Sequence, residues 1–294
     1  MRKIISSAII LFIFFYALCA AGRRIEAADG YGMGQGDPVR IAEFLNASAV
    51  QLLLVGLNAT LAGAADVPPA WQTITVSTED ERAALIAQGL AAQFDIIFTS
   101  DLGVIEELFA KGEIRSCFPL FSEELILAGP KDSSVMGEAS GESAVDVMGK
   151  IFSDERPFFS LMYNQWAWEG EHGLWGEAGV DYPGDNKNYV ESSRNDVTAL
   201  FQAGDEEAFI LVGQGAFAQY SDVQRDDQVL MRIAGTGIYR KCYVCATKSS
   251  ASRAQRAASA EALVRWFRSA MVSDAVDGFE LGGIKAFKSE PPLN

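Results

Sequence analysis

The 294-residue chain carries 24 Lys and Arg against 39 Asp and Glu, a net charge of −15, which excludes nucleic acid and anionic membrane surfaces as partners. A single histidine, His172, and four cysteines leave a Cys/His zinc site short of ligands, so no metal and no cofactor is expected. No G-x-S-x-G or H-E-x-x-H motif occurs, and a hydrolase would have to be built on His172, which EGEHGLW places on a helix surface.

The opening MRKIISSAIILFIFFYALCAAGRRIEAADG has two basic residues, an apolar run over 4–21 and small residues beyond, the pattern of an exported signal peptide. Residues 1–27 are expected to be removed, leaving 20 basic and 38 acidic residues, a net charge of −18, in the periplasm. An uncleaved anchor stays open on length alone. Leu18 before Cys19 argues against a lipid anchor. Cys117, Cys242 and Cys245 remain; buried single thiols are the first expectation, a bridge from Cys117 to Cys242 or Cys245 the second.

Residues 31–38 are Gly-rich but follow no strand, so they do not form a phosphate cradle. Residues 39–45 fit a short helix, and 49–56 (AVQLLLVG) fit a first core strand ending at Asn58-Ala59-Thr60. A second strand is expected at 71–76, with Ser77-Thr78 capping a helix over 79–90. A third follows at 94–98, then Thr99-Ser100-Asp101 and a helix over 104–110 that Gly112 stops. Strand-helix alternation implies a parallel sheet with right-handed crossovers. The polar groups Asn58/Thr60, Ser77/Thr78 and Thr99/Ser100/Asp101 read singly as helix caps and together as the wall of one crevice.

An extended apolar run at 123–129 leaves this first lobe, and 130–143 is a polar loop before a helix over 144–152. Residues 158–179 (FFSLMYNQWAWEGEHGLWGEAG) then give a strand over 158–162, a polar break at Tyr163-Asn164-Gln165 and a helix over 169–178 closed by Gly179. Trp166, Trp168 and Trp175 are readable as core aromatics or as a pocket wall beside those polar tips. Ser193 or Asn195 caps a helix to 202, a strand covers 208–212, and Gly213-Gln214-Gly215 opens a further helix. Two consecutive strands, 229–233 and 238–246, return towards the first lobe, followed by a long amphipathic helix over 252–273 and a short one over 274–281.

Several segments share their wording with one family: Val76-Ser77-Thr78 before a helix, FPLFSEELILAGPKD, FFS, LWGEAGV, and ALVRWF followed by AVDGFELGGIKAF. Over about residues 71–287 the chain resembles type 2 periplasmic solute-binding proteins, in particular the tungstate-binding receptors of ABC importers. The resemblance implies an α/β, two-lobed fold with extended hinge segments, with 28–125 and 245–294 in lobe 1 and 126–244 in lobe 2. It also implies a non-enzymatic, monomeric receptor that takes a small solute in the inter-lobe cleft and delivers it to an ABC importer permease.

Family binding positions carry over to Ser77 and Thr78, to Asn58 and Thr60 in the first-strand loop, and to Ser160. Leu161 stands where the family has an arginine, and Gly213-Gln214-Gly215 where it has Asp-Arg-Gly. Each charge-assisted hydrogen bond lost is worth about 1.5–3 kcal/mol. With Tyr163, Asn164, Trp166, Gln214 and Asp101 completing the expected site, a neutral or cationic organic solute therefore stands beside a tungstate-like oxyanion. A ligand-sensing or adaptor protein with a diverged pocket is the alternative.

Overall fold

The computed structural model describes residues 39–45, 48–61, 71–76, 79–135, 141–162, 164–181, 183–224, 229–248 and 254–290. Two compact units divide the chain, residues 1–35 and 36–294, and all described residues belong to the second. The leader expected at 1–27 lies outside them.

The first two elements correct the sequence reading. Val39–Glu43 is a strand, β1, and the apolar run behind it is a helix, α1, Ser48–Leu61. In α1 the buried residues are Ala49, Val50, Leu53, Leu54 and Leu57, while Val55 is 67% exposed; burial follows the 3.6-residue period of a helix. β1 has a parallel neighbour on each side, so β-branched Val39 and Ile41 are fully buried there.

From here the alternation runs as expected through β2 (Trp71–Thr75), α2 (Glu79–Ala87), β3 (Ile96–Thr99) and α3 (Leu102–Ala110). Gly112, at φ +68°, ends the run in a left-handed turn. β4 (Ile114–Pro130) is a 17-residue strand, and a second alternation follows: α4 (Ala144–Ser153), β5 (Phe158–Leu161), α5 (Gln165–Glu177), β6 (Tyr189–Ser192), α6 (Asp196–Asp205), β7 (Phe209–Gly213) and α7 (Gln214–Val223). α5 begins four residues before the helix expected at 169 because Asn164 caps it, Oδ1 accepting from the Ala167 amide at 3.3 Å. β6 has no counterpart in the sequence reading.

Residues read as two strands form one, β8 (Leu230–Thr247), paired antiparallel with β4 along its length. Between the Glu124–Tyr239 and Ile126–Gly235 pairs, β4 advances two residues and β8 four. This bulge, with Gly237 at φ +71°, is where sequence continuity breaks. The two C-terminal helices are present with their boundary earlier than expected, α8 (Ala254–Phe267) and α9 (Ala270–Asp277), with Ser269 extended at the N-cap of the second. A short pair, β9 (Glu280–Leu281) and β10 (Ile284–Lys285), precedes β11 (Lys288–Ser289), which pairs with β4.

In the main sheet the strand order is β2-β1-β3-β8-β4-β7-β5-β6. Among the described residues the buried hydrophobics form three clusters. Two lie on opposite faces of β1–β3, one around Ile41, Leu53, Phe98, Phe121 and Phe267, the other around Ala42, Ile97 and Leu108. The third gathers Leu125, Phe158, Trp175, Phe209 and Ala234. Along β4 the change of core falls between Phe121 and Leu125, where the sequence is polar: Ser122, Glu123, Glu124.

Cross-strand neighbours Cys117 and Cys245 are joined in a disulfide, and Cys242 is the free, buried thiol. The bridge corrects the first expectation of single thiols: direct pairing in the β4–β8 ladder brings the two Cβ atoms face to face.

Candidate functional site

Two parallel three-strand sets share one arrangement. β1 lies between β2 and β3, and β5 between β6 and β7. The chain therefore leaves each central strand to one side and returns to the other, and ligands of open α/β sheets bind beyond the carboxyl ends at such a reversal. β3 runs antiparallel to β8 with Thr99 opposite Tyr243, and β7 antiparallel to β4 with Gly213 opposite Leu125. The carboxyl ends of both sets thus point at the middle of the β4–β8 ladder from opposite directions. Tyr243 pairs with Pro119, so six β4 residues, about 20 Å of strand, separate the two ends.

Glu123 and Arg240 are register partners at that midpoint. The Glu123 carboxylate is 3% exposed and accepts from Arg240 Nε at 2.8 Å and a terminal guanidinium nitrogen at 2.5 Å. Its other oxygen accepts from the Gly215 amide, in the first turn of α7, at 2.9 Å. The guanidinium also lies over the Trp166 ring, 4.5 Å from its centroid. Burial works to lower the Arg240 pKa and is outweighed by the Glu123 charge and hydrogen bonds, which hold it above the ordinary value.

The two glycines noted in the sequence make room for this pair. A Cβ on Gly213 would lie 2.5 Å from a Glu123 carboxylate oxygen, and one on Gly215 would lie 2.9 Å from the same atom. Cys242 is on the same strand face as Arg240; burial pushes its thiol up while Arg240 pulls it down, and Glu43 and Glu123 add to the rise. Glu43, fully buried at the end of β1, accepts from the Leu45 amide at 2.6 Å. The end of β1, the ladder midpoint and the first turns of α5 and α7 therefore share one neighbourhood.

Placement of the expected site residues is uneven. Ser77, Thr78 and Tyr163 lie outside the described residues. Asn58 and Thr60 are in the last turns of α1, at the opposite end of that helix from the β1 tip, a consequence of the corrected first elements; their side chains are not described. Asp101 caps α3, accepting from the Val104 amide at 3.1 Å, and pairs with Arg82 at 3.0 Å; Ser100 precedes it at the end of β3. Asp101 and Arg82 also line a surface cavity of about 350 Å³ walled by α2 and α3 alone. Asn164 donates to both Asp196 carboxylate oxygens at 3.1 and 3.2 Å. Gln214 donates to the Lys285 carbonyl and accepts from Arg232 at 3.3 Å. Of the expected residues, Trp166 touches the Glu123–Arg240 pair directly, and Gln214 stands between the two glycines that admit it.

Ser160 is fully buried under α5, against a separate polar cluster. There the Glu171 carboxylate accepts from Tyr189 Oη at 2.7 Å and from Trp175 Nε1 at 3.2 Å. Burial holds the Glu171 carboxyl above its usual range, against the pull of these bonds; burial and then Glu171 raise the Tyr189 phenol. Trp175 is core, edge-on to Phe158 at 5.1 Å. Trp168 is 38% exposed and lies 4.1 Å from the His172 ring, whose Nδ1 is 2.9 Å from the Trp168 carbonyl. His172 therefore packs on its own helix.

Glu123 and Arg240 are the residues that sequence reading missed. Their signal is alternation: along β8, Arg240 shares parity with buried Cys242, and a lone arginine on the buried side of a strand demands a buried carboxylate. Among the described residues no group of three or more His, Cys, Asp and Glu side chains is placed to hold a metal ion, and no helix is long and apolar enough to cross a membrane.

No protein-family model matches the sequence, and no curated protein matches it. Solved structures do. The tungstate-binding protein TupA of Desulfovibrio alaskensis G20 superposes with a TM-score of 0.66 at 15% identity, over 87% of this chain and 100% of that one. The tungstate ABC transporter structure from Geobacter sulfurreducens gives 0.59 at 14%, over 83% and 99%. Iron-bound HitA of Pseudomonas aeruginosa gives 0.58 at 13%, over 87% and 90%. At such identities the likeness establishes architecture alone, and with the strand order and crossing strands above it shows that this chain has the type 2 periplasmic solute-binding protein fold.

Proposed function

We propose that the protein is an extracytoplasmic, non-enzymatic receptor that binds a small solute between two lobes and hands it to an ABC importer permease. Lobe 1 comprises residues 28–125 and 245–294, lobe 2 residues 126–244, and β4 and β8 serve as the hinge segments. The observation that carries this reading is the pair of parallel strand sets whose carboxyl ends face each other across the ladder midpoint. Residues 1–27 are the export signal in this reading, and the net charge of −18 left after their removal keeps an exported protein soluble.

The solute is a neutral or cationic organic molecule. Arg240, the guanidinium at the midpoint, is neutralised by Glu123, and Trp166 beside it offers an aromatic surface. The tungstate-binding protein of the same fold does not decide the ligand at this identity.

A thermal-shift screen of the purified protein against amino acids, quaternary amines, tungstate, molybdate, sulfate and phosphate tests the reading. A ligand at about a hundredfold its dissociation constant adds roughly 2.7 kcal/mol of stability, so a true solute gives a clear rise in Tm. A response to tungstate or molybdate alone would reverse the ligand class and leave the receptor. Silence across the whole panel favours the second reading, a sensor or adaptor with a diverged pocket, to which the internally filled Glu123 position already lends support.

A further inference from the structure

Three features of the ladder midpoint converge on one carboxylate. Arg240 offers two guanidinium nitrogens in the forked geometry that suits a planar or tetrahedral anion. The Gly215 amide comes from the first turn of the ten-residue helix α7, which has no side-chain cap of its own at Gly213, and such a turn favours negative charge. Gly213 and Gly215 leave open the space that any side chain would take. These are the parts of an anion seat, and its occupant is a side chain of the protein itself.

We propose that Glu123 is the specificity-determining residue of the site: its carboxylate is a tethered anion that fills the seat made by Arg240 and the start of α7, and so turns the cleft away from small free anions. This deepens the receptor reading and rests on it for the meaning of "specificity"; the occupancy of the seat can be tested without it. An external oxyanion would have to displace a carboxylate held by three hydrogen bonds, two of them from a guanidinium. Because Glu123 is covalently attached to β4, it competes at an effective concentration that no solute in free solution approaches. The same guanidinium lies over the Trp166 ring, a second contact that holds it at the seat.

The consequence is that removing the tethered anion creates a binding site for a free one. Thermal unfolding and calorimetric titration of the wild-type protein, Glu123→Ala, and the double variant Glu123→Ala with Arg240→Met are compared with formate, acetate, sulfate, molybdate and tungstate, each against sodium chloride at matched ionic strength. Formate and acetate are closest in size to the group removed. They are expected to raise the Tm of Glu123→Ala above the chloride control, with an affinity gain over wild type of about tenfold or more, the worth of one charge-assisted hydrogen bond. The double variant, lacking the guanidinium, gives no such response.

Should Glu123→Ala fail to fold in plain buffer, refolding in formate or acetate supplies the readout: recovery with these anions supports the proposal, and failure with all of them overturns it. It is equally overturned if wild type binds tungstate or molybdate at micromolar levels, or if Glu123→Ala responds no more than its chloride control. An organic solute found for wild type in the screen above stands or falls separately from these anion results.

Discussion

Ala49, in the first turn of α1, and Gly215, in the first turn of α7, touch: a methyl added to Gly215 would lie 2.9 Å from the Ala49 Cβ. The same methyl would meet a Glu123 carboxylate oxygen at 2.9 Å and the Phe287 ring at 3.1 Å. Two of these three neighbours are short or rigid and cannot swing aside. Gly215→Ala should cost about 1–3 kcal/mol, as overpacking does, read as a shift in urea midpoint at unchanged m-value. Adding Ala49→Gly should recover part of that loss; wild-type stability in Gly215→Ala alone would show that the helices do not approach in this way.

The Glu123–Arg240 pair has an asymmetry of its own. Breaking a buried pair by removing one partner costs about 3–5 kcal/mol, because the remaining charge is stranded, whereas apolar replacement of both is often close to neutral. Arg240→Met is therefore expected to be strongly destabilised in denaturant melts, and Glu123→Leu with Arg240→Met markedly less so. If the double variant loses as much as the two single ones together, the pair is not coupled.

Glu171 sets a pH dependence whose sign is fixed. Burial raises its folded-state pKa above the usual 4.5, so the folded protein holds the proton longer than the unfolded chain. Stability from this group is complete below about 4.5 and is lost as pH rises through the raised value. Glu171→Gln keeps an acceptor for Tyr189 but no longer titrates. Its Tm relative to wild type should climb as pH goes from about 4 to about 8, and a parallel pair of curves would dismiss the effect.

Cys117–Cys245 closes a span of 128 residues. Replacing either cysteine with serine should cost about 2–5 kcal/mol, and reductant should lower the wild-type Tm by a matching amount while leaving the variants unmoved. Cys242, buried with its thiol pushed up, should stay silent to a thiol reagent until the protein unfolds.

Much of this architecture was legible where a short apolar strand is followed by a polar cap. Asp101, Asn164 and Asn195 all cap the helices that follow strands or short turns. The reversal of β1 and α1 came from length: 49–56 is a continuous apolar run, and only the exposure of Val55 among buried Leu53, Leu54 and Leu57 separates helix from strand. That misreading carried Asn58 and Thr60 into the expected site. β6 escaped notice because Tyr189–Ser192 is a half-exposed edge with no apolar run to announce it. β8 was split at Gly235-Thr236-Gly237, where glycines mark a bulge and not an end. Alternation along β8 singles out Arg240, but its meeting with Glu123 follows only from the pairing of β4 with β8.

The sulfur link between β4 and β8 also ties the polypeptide into a ring, since everything from Cys117 round to Cys245 lies within it. A protease that cuts the chain between β4 and α4, or at any point up to the start of β8, opens the ring without releasing a piece. The two fragments stay joined until the sulfurs are reduced, so a nicked molecule keeps both strand sets on one covalent framework.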